Sequence, residues 1–355
     1  MDTERVGGTA GGGSHGPTAD VDRSVPAFSS SGRPREDALR SLPKCGYSPT
    51  QARVGTSRDR SSGWWNPSGD GTRTSRRVLM SATISICVPA YNAARTLEAT
   101  LHSILEQDAD LDVLVLDNAT RDGTADIARS FDDPRLRVVR NDEVLSIGDN
   151  WNKAVALSAG ELVKIVCADD VLRPGSIEAQ EKVMADPTIA LTSARFDVID
   201  EAGEIRESGL GIPGLEGLHT PRALIGTIVR RGPADFGPTA AAIFRREHFD
   251  RVGGFRGDLV FPMDVDLFAR VATFGMFFGM PERVAAWRDS TFNLCSRTSS
   301  FSKLTDMMRF HHRIARDYPD LVSFGDVIAG DARLARAALE RVSVRSRGLL
   351  AALRG

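Results

Sequence analysis

From Thr83 onward, short apolar runs rich in β-branched residues alternate with stretches whose apolar residues recur at helical spacing, and few folds accommodate that alternation. The run TISICVP stops at Pro89. Leu97, Leu101, Ile104 and Leu105 then mark one buried face of a helix over residues 94–107. LDVLVLD (111–117), LRVVR (136–140) and ELVKIVC (161–167) read as further strands, separated by helices over 124–130 and 149–159. Strands joined by helices of this length require right-handed crossovers. The expectation is an α/β fold with a Rossmann-like, mostly parallel sheet and helices on both faces. In such sheets ligands bind at the carboxyl ends of the strands, and Pro89, Asp117 and the pair Asp169-Asp170 fall there.

The order loosens after Pro174. Residues 174–186 read as a helix and IALTSARFDVID (189–200) as a strand, with Gly203 turning a hairpin. GPTAAAIF (237–244) and FFGMPERVAAW (277–287) read as strands around a helix over 265–273. Beyond Arg297 only helix-like segments rich in Arg remain. The expected domains are 80–296, carrying the sheet, and a helical C-terminal extension, 297–355. Residues 1–79, dominated by Gly, Ser, Pro, Thr, Asp and Arg, bury too little apolar surface to offset ordering entropy. They are either a disordered arm or lie ahead of a true start near Val78 or Met80.

A net charge of -2 and 6% aromatic residues offer neither the electrostatic pull nor the stacking surface of a nucleic-acid binder. Cys45, Cys87, Cys167 and Cys295 form no CxxC pair, so neither a zinc site nor a disulfide framework is indicated. No apolar stretch approaches the roughly 20 residues that span a bilayer, and no signal peptide opens the chain. The protein reads as cytoplasmic. The closing segment, residues 331–355, mixes Leu and Arg at helical spacing. It could lie on a membrane surface, pack as a charged helix on the domain, or be disordered.

Three elements follow in order: CVPAYNA (Cys87–Ala93), LDNATRDGT (Leu116–Thr124) and VCADD (Val166–Asp170), the last preceded by GELV (Gly160–Val163). As an ordered set at strand ends, they resemble glycosyltransferase family 2, whose members adopt the GT-A fold. The resemblance covers about Thr83 to Ser296 and implies an inverting transfer of a sugar from a nucleoside-diphosphate donor, UDP-type favoured, to an acceptor hydroxyl. Saccharide or lipid-linked acceptors, and cell-surface polysaccharide or glycolipid synthesis, are the implied setting. By the same resemblance Pro89 and Tyr91 form a platform for the base, and Asp117 contacts the base or its ribose. Asp117 also suits an Asx turn.

The departing diphosphate gains charge that Mg²⁺ or Mn²⁺ neutralises, and both ions favour carboxylate oxygens. The resemblance makes Asp170 the metal ligand and turns Asp169 toward the ribose. The family's Asp-x-Asp-Asp is here Cys167-Ala168-Asp169-Asp170. A solvated Asp pair capping the next helix is the plainer reading. An acceptor hydroxyl needs a positioned base. PMDVDLFAR (262–270) resembles the family's Glu-Asp-x-Asp-Leu-x-x-Arg, with Met263 for Glu, and assigns that role to Asp264. Asp264 would equally serve as a helix N-cap, and Asp266 would support the helix. In AWRDST (286–291), Arg288 resembles a diphosphate-binding Arg, with Asp289 where the family commonly has His. Trp151 stands where the family often has Arg, and packing is its better reading. Lys164 could reach the diphosphate or sit on an edge strand. Two rivals remain: a non-catalytic nucleotide-sugar-binding or scaffold protein, and a nucleotidyltransferase. The second normally carries a Gly-rich phosphate loop, absent from VPAYNAARTLEAT.

Overall fold

The computed structural model describes residues 84–232, 236–291 and 293–352. The expectations for residues 1–79, Cys45 included, lie outside them. Strands β1 (Ile84–Ala90), β2 (Leu111–Asp117), β3 (Leu136–Arg140) and β4 (Leu162–Ile165) alternate with helices α1 (Leu97–Leu105), α2 (Thr124–Arg129) and α3 (Ile147–Leu157). There follow β5 (Val171–Leu172), α4 (Ser176–Met184), β6 (Ile189–Ile199), β7 (Ile205–Leu210), β8 (Gly217–His219) and α5 (Pro221–Arg231). The chain continues through β9 (Ile243–Arg245), α6 (Arg246–Val252), α7 (Met263–Val271) and β10 (Met276–Arg288). It closes with α8 (Leu294–Arg297), α9 (Ser300–Asp317) and α10 (Phe324–Ala352).

All strands join one sheet in the order β3-β2-β1-β4-β9-β6-β10-β5, with β7 beside β6 and β8 beside β10. The first four are parallel, as crossover helices demand. The short β9 runs antiparallel between β4 and β6, and β6 pairs with β10 in parallel over most of its length. Most paired positions are therefore parallel, in the GT-A manner.

Strand periodicity divides the core. Ile84, Ile86, Val88 and Ala90 point to the face covered by Leu97, Leu101 and Ile104 of α1, whereas Cys87 faces Ala154 and Val155 of α3. Leu97, Leu101 and Ile104 are fully buried, each contributing roughly 1.5–3 kcal/mol. Trp151 packs edge-on against Phe255, with ring centroids 5.2 Å apart, as a core anchor. A close backbone contact locks α3 to the loop before α7: a Cβ on Gly148 would meet the Gly257 Cα at 2.6 Å.

GPTAAAIF departs from its expected strand. Gly237 holds φ at 100°, Pro238 precedes a 3-10 turn over Thr239–Ala241, and only Ile243–Arg245 pairs as a strand. The turn leaves carbonyls inside the molecule, where Gln180 Nε2 donates to Ala241 O (2.9 Å) and Lys164 Nζ to Ala242 O (3.5 Å). Lys164 consequently does not lie on an edge strand. It is fully buried on central strand β4, bonded to Gln180 Oε1 at 2.7 Å, and burial drives its pKa down to about 7.

Phe310 and Ile314 of α9 enter the core beside Phe268 of α7. Arg230 of α5 pairs with Asp326, and His311 and His312 hold the two oxygens of Asp331 at 2.8 and 2.9 Å. The start of α10 thus packs on α5 and α9. Among the described residues, no helix is long and apolar enough to cross a membrane.

Candidate active site

The crevice opens where β1 and β4 part. Their pairing ends at Cys87 and Ile165, while β1 stays with β2 as far as Ala90 and Asp117. Pro89, which has no N–H to donate, lies beyond the last β4 partner, so its missing hydrogen bond costs the sheet nothing on that side. Tyr91 follows, 55% exposed. Both loops here bend through left-handed backbone at non-glycine residues: Asn92 at φ 52° and Ala119 at φ 53°. They are tied together by Ala93 N–H to Thr124 Oγ1 (2.9 Å) and Ala94 N–H to Asp122 Oδ2 (3.1 Å).

Asp117 is fully buried at the end of β2. Its Oδ1 accepts from Thr120 N–H, three residues on, at 3.0 Å, which closes the turn after β2 without being the two-residue Asx turn, and its Oδ2 pairs with Arg140. Arg140 also donates to Thr120 O at 2.6 Å. Arg140 was not singled out in the sequence; its position opposite Asp117 in the β2–β3 register was the available signal.

Residues 168–170 form a loop whose three successive carbonyls are each held by a side chain. Thr96 Oγ1 donates to Ala168 O (2.8 Å), Arg288 Nε to Asp169 O (2.8 Å) and Thr100 Oγ1 to Asp170 O (2.8 Å). Ser103 Oγ then accepts from Leu172 N–H at 3.0 Å, so one face of α1 clamps the whole loop. With its backbone fixed from both sides, the loop presents both carboxylates toward a common point. Cys167 Sγ and oxygens of Asp169 and Asp170 all lie within 4.8 Å of one another.

Burial, and then the neighbouring Asp169, push the Asp170 carboxyl well above its usual range. Burial also raises Asp169, against the lowering influence of Arg288 and Arg95. One Asp170 oxygen accepts the Arg288 backbone N–H at 3.1 Å. Two hard carboxylate oxygens drawn together against desolvation and mutual repulsion fit a small divalent cation, and the thiol of Cys167 adds a softer neighbour. The Arg288 guanidinium itself is buried, giving Nη1 to Asp200 O (2.8 Å) and Glu201 O (3.1 Å) besides the bond to Asp169 O.

Asp264 reaches the same place from the other half. It is the second residue of α7; Pro262 occupies the N-cap position. Its Oδ1 accepts from Val265 N–H at 2.8 Å and its Oδ2 from Thr239 Oγ1 at 3.2 Å. Thr239 also hydrogen-bonds toward Cys167, whose thiol is pushed well up by burial and then by Asp170, Asp169 and Asp264. Cys167 thus lies within electrostatic reach of all three carboxylates, Asp169, Asp170 and Asp264. Burial raises the Asp264 carboxyl as well. Asp266, two residues on, is wholly buried against Arg270 at 2.7 Å, with Arg256 at 3.6 Å. It supports the helix, as expected.

Residues 85–253 match the model of the family described as glycosyl transferase family 2. This part of the chain belongs to that family. MT1568 of Mycobacterium tuberculosis is 31% identical to the family 2 chain over 195 residues, covering 53% of it and 61% of MT1568. WfgD of Escherichia coli, a UDP-Glc:alpha-D-GlcNAc-diphosphoundecaprenol beta-1,3-glucosyltransferase, is 26% identical over 118 residues, or 33% of the chain and 47% of WfgD. The chain thus spans about half the length of these relatives. The crystal structure of S. aureus TarS 1-349 in complex with UDP-GlcNAc superposes with a TM-score of 0.53 at 18% identity, covering 66% of each chain. That likeness establishes the GT-A fold of the family 2 domain.

Proposed function

We propose that the protein is an inverting glycosyltransferase that moves a sugar from a nucleoside-diphosphate donor to an acceptor hydroxyl in cell-surface polysaccharide or glycolipid synthesis. The observation that carries this reading is the position of Cys167, flanked by Asp169 and Asp170 and acted on by Asp264. Carboxylates from distant stretches of the chain thereby act on one thiol, which supports a site shared by both.

Pro89 and Tyr91 take the base, and Asp117, paired with Arg140, contacts the base or ribose. Asp169 faces the ribose. Asp170, with Asp169 beside it, would hold the metal; when bound, Mg²⁺ or Mn²⁺ supplies Lewis-acid neutralisation of the diphosphate's charge. Asp264 takes the acceptor hydroxyl's proton as that oxygen attacks the anomeric carbon and the bond to the diphosphate oxygen breaks. Its raised pKa suits this, because a base works best with a pKa near the operating pH. The name of WfgD favours a UDP-type donor. A saccharide or lipid-linked acceptor would approach from the Asp264 side. Peripheral membrane contact through the C-terminal region and an extension boundary near 297 belong to the same proposal.

Calorimetry of UDP binding with and without Mn²⁺ tests the donor site. Wild type should bind more tightly with Mn²⁺, and Asp170→Ala should lose that difference. Equal affinity with and without the ion in wild type would remove Asp170 from the metal role.

A further inference from the structure

Arg288, the expected diphosphate ligand, already gives Nε and Nη1 to the protein's own backbone. The Arg288 guanidinium is turned inward to three backbone carbonyls, where it positions the acid loop. A second guanidinium, that of Arg95, pairs with Glu201, whose carbonyl Arg288 also holds. Arg95 lies between the Tyr91 platform and α1, and its neighbour Thr96 is bonded to Ala168 O at 2.8 Å, so its backbone is fixed against the acid loop. Its side chain is half-exposed and pairs with Glu201 at 2.9 Å.

We propose that Arg95 is the side chain that receives the donor's diphosphate, with Glu201 holding it in place until the donor arrives. This rests on the donor-site reading above. An ion pair exposed on both sides contributes little stability, so a multiply charged diphosphate displaces the carboxylate at small cost. A guanidinium presents paired donors that match two phosphate oxygens. Glu201 does not follow Arg95 when the pair opens. Its side chain is bonded to Ser290 Oγ at 2.5 Å, and its carbonyl to Arg288 at 3.1 Å. Glu201 is thereby anchored to the segment after β10, and the same residue links the acid loop to that segment through Arg288.

The test is a panel of UDP, GDP, dTDP, CDP and ADP titrated with Mn²⁺ into wild type, Arg95→Ala, Arg95→Lys and Glu201→Gln, with Mn²⁺ affinity measured separately. Arg95→Ala should weaken the best diphosphate about 10-fold, the size of a lost charge-assisted contact, with Mn²⁺ affinity unchanged. Arg95→Lys should fall between, and Glu201→Gln should bind as tightly as wild type or more tightly. Wild-type affinity in Arg95→Ala overturns the proposal. So does a loss in Glu201→Gln equal to that in Arg95→Ala, which would make the pair structural. If wild type binds no member of the panel, the donor-site reading falls, and this proposal with it.

Discussion

The two halves of the sheet handle polar groups in opposite ways. In the parallel half, β2, β1 and β4 bury apolar side chains almost throughout while the edge strand β3 is part-exposed, and the polar groups of the candidate site lie at the strand ends, at Asp117 and the 168–170 loop. Ser85, bonded to Asp112, and Lys164 are the buried polar exceptions, and Lys164 sits at the seam with the other half. Around β9 and α7, by contrast, charges lie inside: Asp266 and Arg270 are fully buried together, and Lys164 caps a carbonyl of the turn before β9. The cause is geometric. Regular parallel strands satisfy their own backbone, whereas a three-residue β9 preceded by a 3-10 turn leaves groups that side chains must reach. The first half therefore presents a site at little internal cost, and the second depends on buried charge to hold Asp264 in position.

Asp266→Asn should break this contrast most sharply. Removing one partner of a buried pair typically costs about 3–5 kcal/mol, because Arg270 is left uncompensated. Denaturant unfolding would measure it. A loss below about 1 kcal/mol would mean that α7 does not depend on the pair.

A smaller effect concerns the seam. The Lys164 amine has a folded pKa near 7, against 10.5 when unfolded. Between those values the unfolded chain binds more protons, so stability rises with pH across that window and the penalty is complete below it. From pH 7 to 9 the gain should be about 2 kcal/mol in wild type and absent in Lys164→Met. Parallel slopes in the two proteins would place the amine in water.

Much of the first half was legible because its signals are local. The spacing of LDVLVLD and LRVVR predicts β2 and β3 to the residue, since each is a short apolar run bounded by polar turns. The second half offers no such alternation around β9. There GPTAAAIF (237–244) reads as strand, yet Gly237 and Pro238 lead into a turn over Thr239–Ala241 and only Ile243 and Phe244 of it pair. The acid pair and Asp264 were visible as motifs. Thr96, Thr100, Arg95 and Glu201 were not, because their partners lie 70 to 106 residues away and no spacing marks them. Arg288 was visible as a cation, but its inward direction follows only from the path of β10 beside β6.

In the proposed reaction Asp264 acts at a donor site built by the other half of the sheet. The most direct measurement compares Asp264→Asn with wild type in sugar-nucleotide turnover and in nucleoside-diphosphate affinity, both with Mn²⁺. Turnover should fall at least about 10²-fold while affinity is retained. Turnover at the wild-type rate would contradict the assignment of the base.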